Sequence, residues 1–91
     1  MAKYIYSLVI QEWNDRDNYE RLEVRGSFGT FKKALRATRV LIDNMLNSPY
    51  ADYELVSDEN LHEFTSSCWA ELCLPETGLN IRYYIMSNQL Q

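Results

Sequence analysis

Chemistry in this chain would have to start from His62, Cys68 and Cys73, because the sequence holds one histidine and two cysteines in 91 residues. His62 sits in DENLHEF with no second histidine anywhere to share a metal or a proton. The cysteines do not form a C-x-x-C pair, so a tetrahedral metal site has no framework. A Cys68 nucleophile needs a base, and only His62 is available, six positions away across a polar Thr-Ser-Ser segment. Glu59 and Glu63 stand four apart, which matches a carboxylate pair by spacing alone and equally matches a solvated helix face. Gly26 and Gly29 lack the third glycine of a dinucleotide loop and the Lys-Ser/Thr of a P-loop. The expectation is therefore no catalytic residue, no metal and no cofactor: a binding protein and not an enzyme.

Charge is the next resource. Arg25, Lys32, Lys33, Arg36 and Arg39 follow one another with no acidic residue between them. From Val40 to Ile81 there are eight acidic residues and no Lys or Arg. Such a split gives a small domain an electric dipole and shapes how it meets partners. Asp52, Glu54, Asp58, Glu59 and Glu63 form the acidic pole. Carboxylates spaced in this way can occupy a basic groove on a nucleic-acid-processing protein, since they meet the same Lys and Arg side chains as phosphates do. The basic stripe offers the alternative, a grip on a small anionic ligand such as a signalling nucleotide. General nucleic-acid binding is not expected, given a pI near 4.8 and no aromatic RNA-binding motif. Two solvated faces that partly neutralise each other are the plain competing reading.

The elements that position these residues follow from periodicity. TFKKALRATRVLIDNMLN, Thr30 to Asn47, repeats apolar residues at spacings of three and four, which predicts an amphipathic helix. Thr30 is its expected N-cap, and Asn47-Ser48-Pro49 its stop. Lys32, Lys33, Arg36 and Arg39 crowd its outward face near the start, against the helix dipole. Lys3 to Trp13 is apolar on both alternating sets and predicts a central strand. Asn14 to Asn18 is a turn, and Tyr19 to Phe28 a second strand with Leu22, Val24 and Phe28 facing the helix. Tyr53 to Val56 predicts a short strand. Ser57 caps a brief helical turn over Asp58–Phe64. Cys68 to Leu74 and Leu79 to Met86 form a hairpin through Pro75-Glu76-Thr77-Gly78, where proline and glycine suit a type I turn ending in a left-handed residue. Ser87 to Gln91 reads as a polar, frayed tail.

The resulting fold class is α+β: a mostly antiparallel sheet of about five strands in the order of events ββαβ(α)ββ, one main helix on one face, and a single domain over 1–91. One helix covers one face only. Trp13, Trp69 and Tyr84, with Ile5, Val9, Cys73 and Met86, fall on the other, so that face is expected to meet a partner or a second copy of the chain. The short Asp58–Phe64 turn folding over it is the competing possibility. Cys68 and Cys73 are an odd number of residues apart in one strand and point to opposite faces, so they cannot bridge, and the expected setting is a reduced, cytoplasmic one. No run approaches a membrane span of about 18 apolar residues, and the N-terminus, with one lysine and a strand-like alternation, does not read as a signal peptide.

A small, acidic, cysteine-poor α+β chain with a Tyr-rich first strand, KYIYSLVI, followed by SFGTFKKAL opening one central helix, resembles the accessory proteins encoded by phages and mobile elements, among them anti-CRISPR and other anti-defence inhibitors. The resemblance lies in size and organisation across the whole chain and carries over no residue role. It implies a stoichiometric inhibitor acting in the host cytoplasm on a host defence protein or on a signalling nucleotide.

Overall fold

The structure, a computed structural model, describes residues 3–61 and 68–90. Its elements are β1 (Lys3–Asn14), β2 (Tyr19–Phe28), α1 (Phe31–Leu46), β3 (Glu54–Ser57), β4 (Trp69–Leu74) and β5 (Leu79–Leu90). They build one five-stranded sheet in the order β2-β1-β5-β4-β3, with every neighbouring pair antiparallel. The expected α+β architecture is the one observed. α1 carries the chain from one sheet edge, β2, to the other, β3, so it has to lie across the strands between them.

β1 is an interior strand next to central β5, and it pairs with β5 from Lys3↔Leu90 to Asn14↔Leu79. Residues 87–90 are therefore strand and not a frayed tail, because the start of β1 offers them a backbone partner that polarity of the sequence does not reveal. The two hairpin turns meet at one end of this pair. Asn18 (φ 52°) and Gly78 (φ 80°) take the left-handed conformation that closes each turn, Gly78 as its type predicted. Buried Asn14 joins them: its Nδ2 donates to the Thr77 carbonyl at 2.9 Å, while its Oδ1 accepts from the Arg16 backbone N–H at 2.9 Å.

The helix begins where the cap placed it. Thr30 is extended, and its side-chain oxygen accepts from the Lys33 backbone N–H at 3.2 Å. Ala34, Thr38 and Ile42 are buried against the sheet, and the Thr38 hydroxyl satisfies itself on the Ala34 carbonyl at 2.8 Å. Opposite them lie Leu8, Ile10, Ala70, Leu72, Ile81, Tyr83 and Ile85, all buried. Each large aliphatic residue in this layer contributes about 1.5–3 kcal/mol relative to exposure. Burial also pushes the Tyr83 phenol up to about 12. Leu61 enters the same layer, fully buried, and its carbonyl accepts from the Arg39 guanidinium. The Asp58–Leu61 turn therefore packs on the helix side, closed by a Leu61 N–H to Asp58 carbonyl bond of 3.0 Å. The remainder of the expected short helical turn, His62 to Phe64, lies outside the described residues. No helix among the described residues is long and apolar enough to cross a membrane.

One strand departs from its alternation. Between β1 and β2 the register runs Leu8↔Gly26 and then Val9↔Val24, leaving Arg25 as an extra residue in a β-bulge. Every side chain of β2 before the bulge is thereby turned to the opposite face. Leu22 and Val24, expected under the helix, instead stand on the other face at 69% and 65% exposure. Glu23, opposite Ile10, and Arg21, opposite Glu12, take the helix side in their place. The bulge and the charged side chains also blunt β2, which is an edge strand.

Candidate binding face

The face of the sheet away from α1 is assembled in cross-strand rows. One row runs Val24, Val9, Tyr84, Trp69; the next runs Leu22, Gln11, Arg82, Glu71; a third runs Trp13, Asn80, Cys73, Glu54. The register thus gathers Trp13, Trp69 and Tyr84 on one surface, as their spacing required, and the bulge adds Leu22 and Val24. Among the described residues no element packs over this surface.

At its centre is Arg82, which sequence reasoning did not single out. Its guanidinium carbon lies 4.6 Å from the Trp69 ring centroid, 5.5 Å from Trp13 and 5.9 Å from Tyr84, so three aromatic rings surround one cation. Nε donates to Glu71 Oε1 at 2.8 Å, and Nη2 donates to the same oxygen. Nη1 donates to the Tyr84 hydroxyl at 3.2 Å, which in turn donates to Gln11 Oε1 at 3.2 Å. The hydrogen bond that Arg82 donates to Tyr84, and then those it donates to Glu71, raise the Arg82 pKa above its ordinary value. Arg82 is 33% exposed and Glu71 only 13%, so the pair is a semi-buried clasp that locks the aromatic side chains around it. Beside it a cleft of about 440 Å³ opens between Trp13 and the β1–β2 turn, walled by Asn18, Tyr19 and Glu20.

Arg82 had one available signal: strict alternation in NIRYYIM puts it on the face of Tyr84 and Met86. Its partner Glu71 follows from the hairpin, because a turn over Pro75–Gly78 that pairs Leu74 with Leu79 also sets Glu71 opposite Arg82. Glu71 belongs, by position in the chain, to the acidic half, yet its charge is spent on Arg82.

The charged poles are only partly as the sequence placed them. Asp52, Glu54, Asp58 and Glu59 are exposed along the β3 edge, and Glu54, opposite Cys73, borders the aromatic face. Glu63 lies outside the described residues. Of the basic residues, Arg25 stands at the bulge with Nη2 at 3.3 Å from Glu23 Oε2. Lys33 and Arg36 join it around a groove between β2 and α1, while Lys32 lies farther round the helix beside Arg36. Arg39 lines a hollow with Lys32 and Arg36, and its guanidinium also donates to the Leu61 carbonyl, bordering a second small hollow with Asp43 and Asp58. Arg36 lines both the β2 groove and the hollow of Lys32 and Arg39, and so links the two groups of cations.

For chemistry, Cys68 is buried in the helix-side core and Cys73 is half-buried on the opposite face. Burial raises the Cys68 thiol pKa, with Arg39 pulling weakly the other way, so the thiol is held in its unreactive protonated form. His62 lies outside the described residues. Among the described residues no three His, Cys, Asp or Glu side chains converge as metal ligands. No protein-family model, curated protein or solved structure matches the chain.

Proposed function

We propose that this chain is a non-enzymatic binding protein that docks on a protein partner through its open sheet face, acting as a stoichiometric inhibitor of the kind phages and mobile elements direct at host defence or nucleic-acid-processing proteins. The observation that carries the reading is Arg82 held among Trp13, Trp69 and Tyr84, beside exposed Leu22 and Val24. Tryptophan, tyrosine and arginine are the residues that dominate binding hot spots, and they do so best when rigid before the partner arrives. The clasp supplies that rigidity. The molecule's two longest dimensions, 48 and 26 Å, leave room for the footprint of about 800 Å² per partner that stable complexes use. Acidic residues at the β3 rim add steering toward a basic partner. The cytoplasm of the host is the compartment this reading requires.

The test is capture from a bacterial lysate by the tagged chain, run beside a Leu22→Asp/Val24→Asp variant. Both positions are exposed, so the variant keeps its fold. A protein retained at fixed stoichiometry by the parent and lost by the variant supports the reading; equal retention by both sinks it. A second reading, a homodimer through the same face, is favoured by the internal pairing of Arg82 with Glu71. That pairing lets two copies of a negatively charged chain meet without opposing like charges at the centre. Light scattering at micromolar concentration separates the two, a dimer that Leu22→Asp/Val24→Asp dissociates being the mark of the second.

A further inference from the structure

The bulge that turns Leu22 and Val24 outward leaves the helix-facing side of β2 poor in apolar side chains. Gly26 stands opposite Leu8 with the Phe28 ring lying over it, and Glu23 stands opposite Ile10, so Phe28 is the one large apolar side chain of β2 between the strand and the flank of α1. An open groove of about 540 Å³ results, within the range of about 300–1,000 Å³ that small-molecule sites occupy. Leu8, Phe28 and Leu41 form its floor, and Ala37 and Val40 its helix wall. Val40 remains 53% exposed there, an apolar side chain on the outward flank of the helix. The other lining residues are Arg25, Lys33 and Arg36. Arg25 is paired with Glu23, whereas among the described residues no carboxylate forms an ion pair with Lys33 or Arg36.

A signalling nucleotide, the ligand first suggested by the basic helix face, matches only half of this site. Its base and ribose would lay several donors and acceptors against an apolar floor with no groups to meet them, which costs binding free energy. An apolar body with a single anionic head satisfies both halves.

We propose that the groove binds an amphiphilic carboxylate, its hydrocarbon laid over Leu8, Phe28, Val40 and Leu41 and its carboxylate held by Lys33 and Arg36. Hydrocarbon burial supplies the attraction, and the charge-assisted bonds fix which end goes where. The site lies on the opposite side of the sheet from the aromatic face, so it does not rest on the partner-docking reading.

Dodecanoate, kept well below its micelle concentration, is the probe, and amide shifts of the ¹⁵N-labelled protein are the readout. Saturable shifts centred on Phe28, Lys33, Ala37 and Val40 are expected. Val40→Glu, at an exposed helix position, should lower affinity by about tenfold or more, and Lys33→Glu/Arg36→Glu should do likewise, a change of at least about 1.4 kcal/mol in either case. Dodecyltrimethylammonium, with the same tail and the opposite charge, should bind at least about tenfold more weakly. Equal affinity for the two amphiphiles overturns the proposal, as do shifts confined to Trp13, Trp69 and Tyr84. Association with phosphatidylglycerol vesicles but not with monomeric dodecanoate overturns it too, because the carboxylate would then be standing in for a membrane surface.

Discussion

Arg82 is the residue on which the open face depends, and its chemistry sets what substitution there should do. Lysine keeps the charge but is a point cation: it cannot place two nitrogens on one carboxylate while laying a flat surface against Trp69. Alanine removes the charge and strands Glu71, which is 13% exposed in the pair, with no partner. Arg82→Ala should therefore destabilise the fold by about 1–3 kcal/mol, the range for leaving a largely buried polar group unsatisfied. Arg82→Lys should recover less than half of that, and Glu71→Gln/Arg82→Ala should be milder than Arg82→Ala alone because no orphan charge remains. Urea denaturation of the four proteins decides it. If Arg82→Lys is as stable as the parent, the ring-and-fork geometry contributes nothing and the clasp is only a surface ion pair.

At the scale of the elements, two features run against local preference. The first turn of α1 carries no acidic residue but does carry Lys32 and Lys33, and Lys32 and Arg36 form a like-charged pair one turn apart. A helix selected for stability alone would hold carboxylates there. Lys32→Glu should stabilise the protein by about 0.3–1 kcal/mol at low salt, read as a rise in melting temperature that fades as salt is added. No change would mean that other groups already neutralise the start of the helix. The second feature is the β2 bulge, which breaks a clean alternation and exposes two aliphatic side chains. It has two effects at once: it enlarges the apolar face with Leu22 and Val24, and it opens the groove on the other side.

For the whole molecule, the issue is which charged pole meets a partner. The basic pole is weakened by its own neighbours, since Arg25 is paired with Glu23 and Arg39 is bound to the Leu61 carbonyl. The acidic pole keeps Asp52, Glu54, Asp58 and Glu59 exposed, and Glu54 borders the aromatic face. Reversal of Asp58 and Glu59 to lysine should then slow association with a captured partner several-fold at low salt and leave dissociation nearly unchanged, because rim charges act on encounter more than on lifetime. Reversal of Lys32 and Arg36 should have little effect. Association rates measured across salt check both arms; if neither reversal matters, the aromatic face acts without electrostatic steering.

Local pattern was enough for much of this protein. The three-four spacing of Ala34, Thr38 and Ile42 required a helix with one buried stripe, Thr30 required its start, and Gly78 the close of its turn. These features depend on neighbours within a few residues, where geometry is set by backbone sterics and hydrogen bonding. The alternation that put Trp13, Trp69 and Tyr84 on a face away from the helix is local in the same sense, and it held wherever a strand ran without interruption. Tertiary structure decided what depends on register. A single extra residue at Arg25 sent Leu22 and Val24 to the other side. Gly26 beside it is a local mark, since an isolated glycine in a strand often accompanies a bulge, but how the bulge is placed is a property of how β2 fits β1. The strand pairing at 87–90 and the place of Leu61 beneath α1 likewise join residues far apart in the chain. Their energies come from contacts that exist only once the sheet has closed.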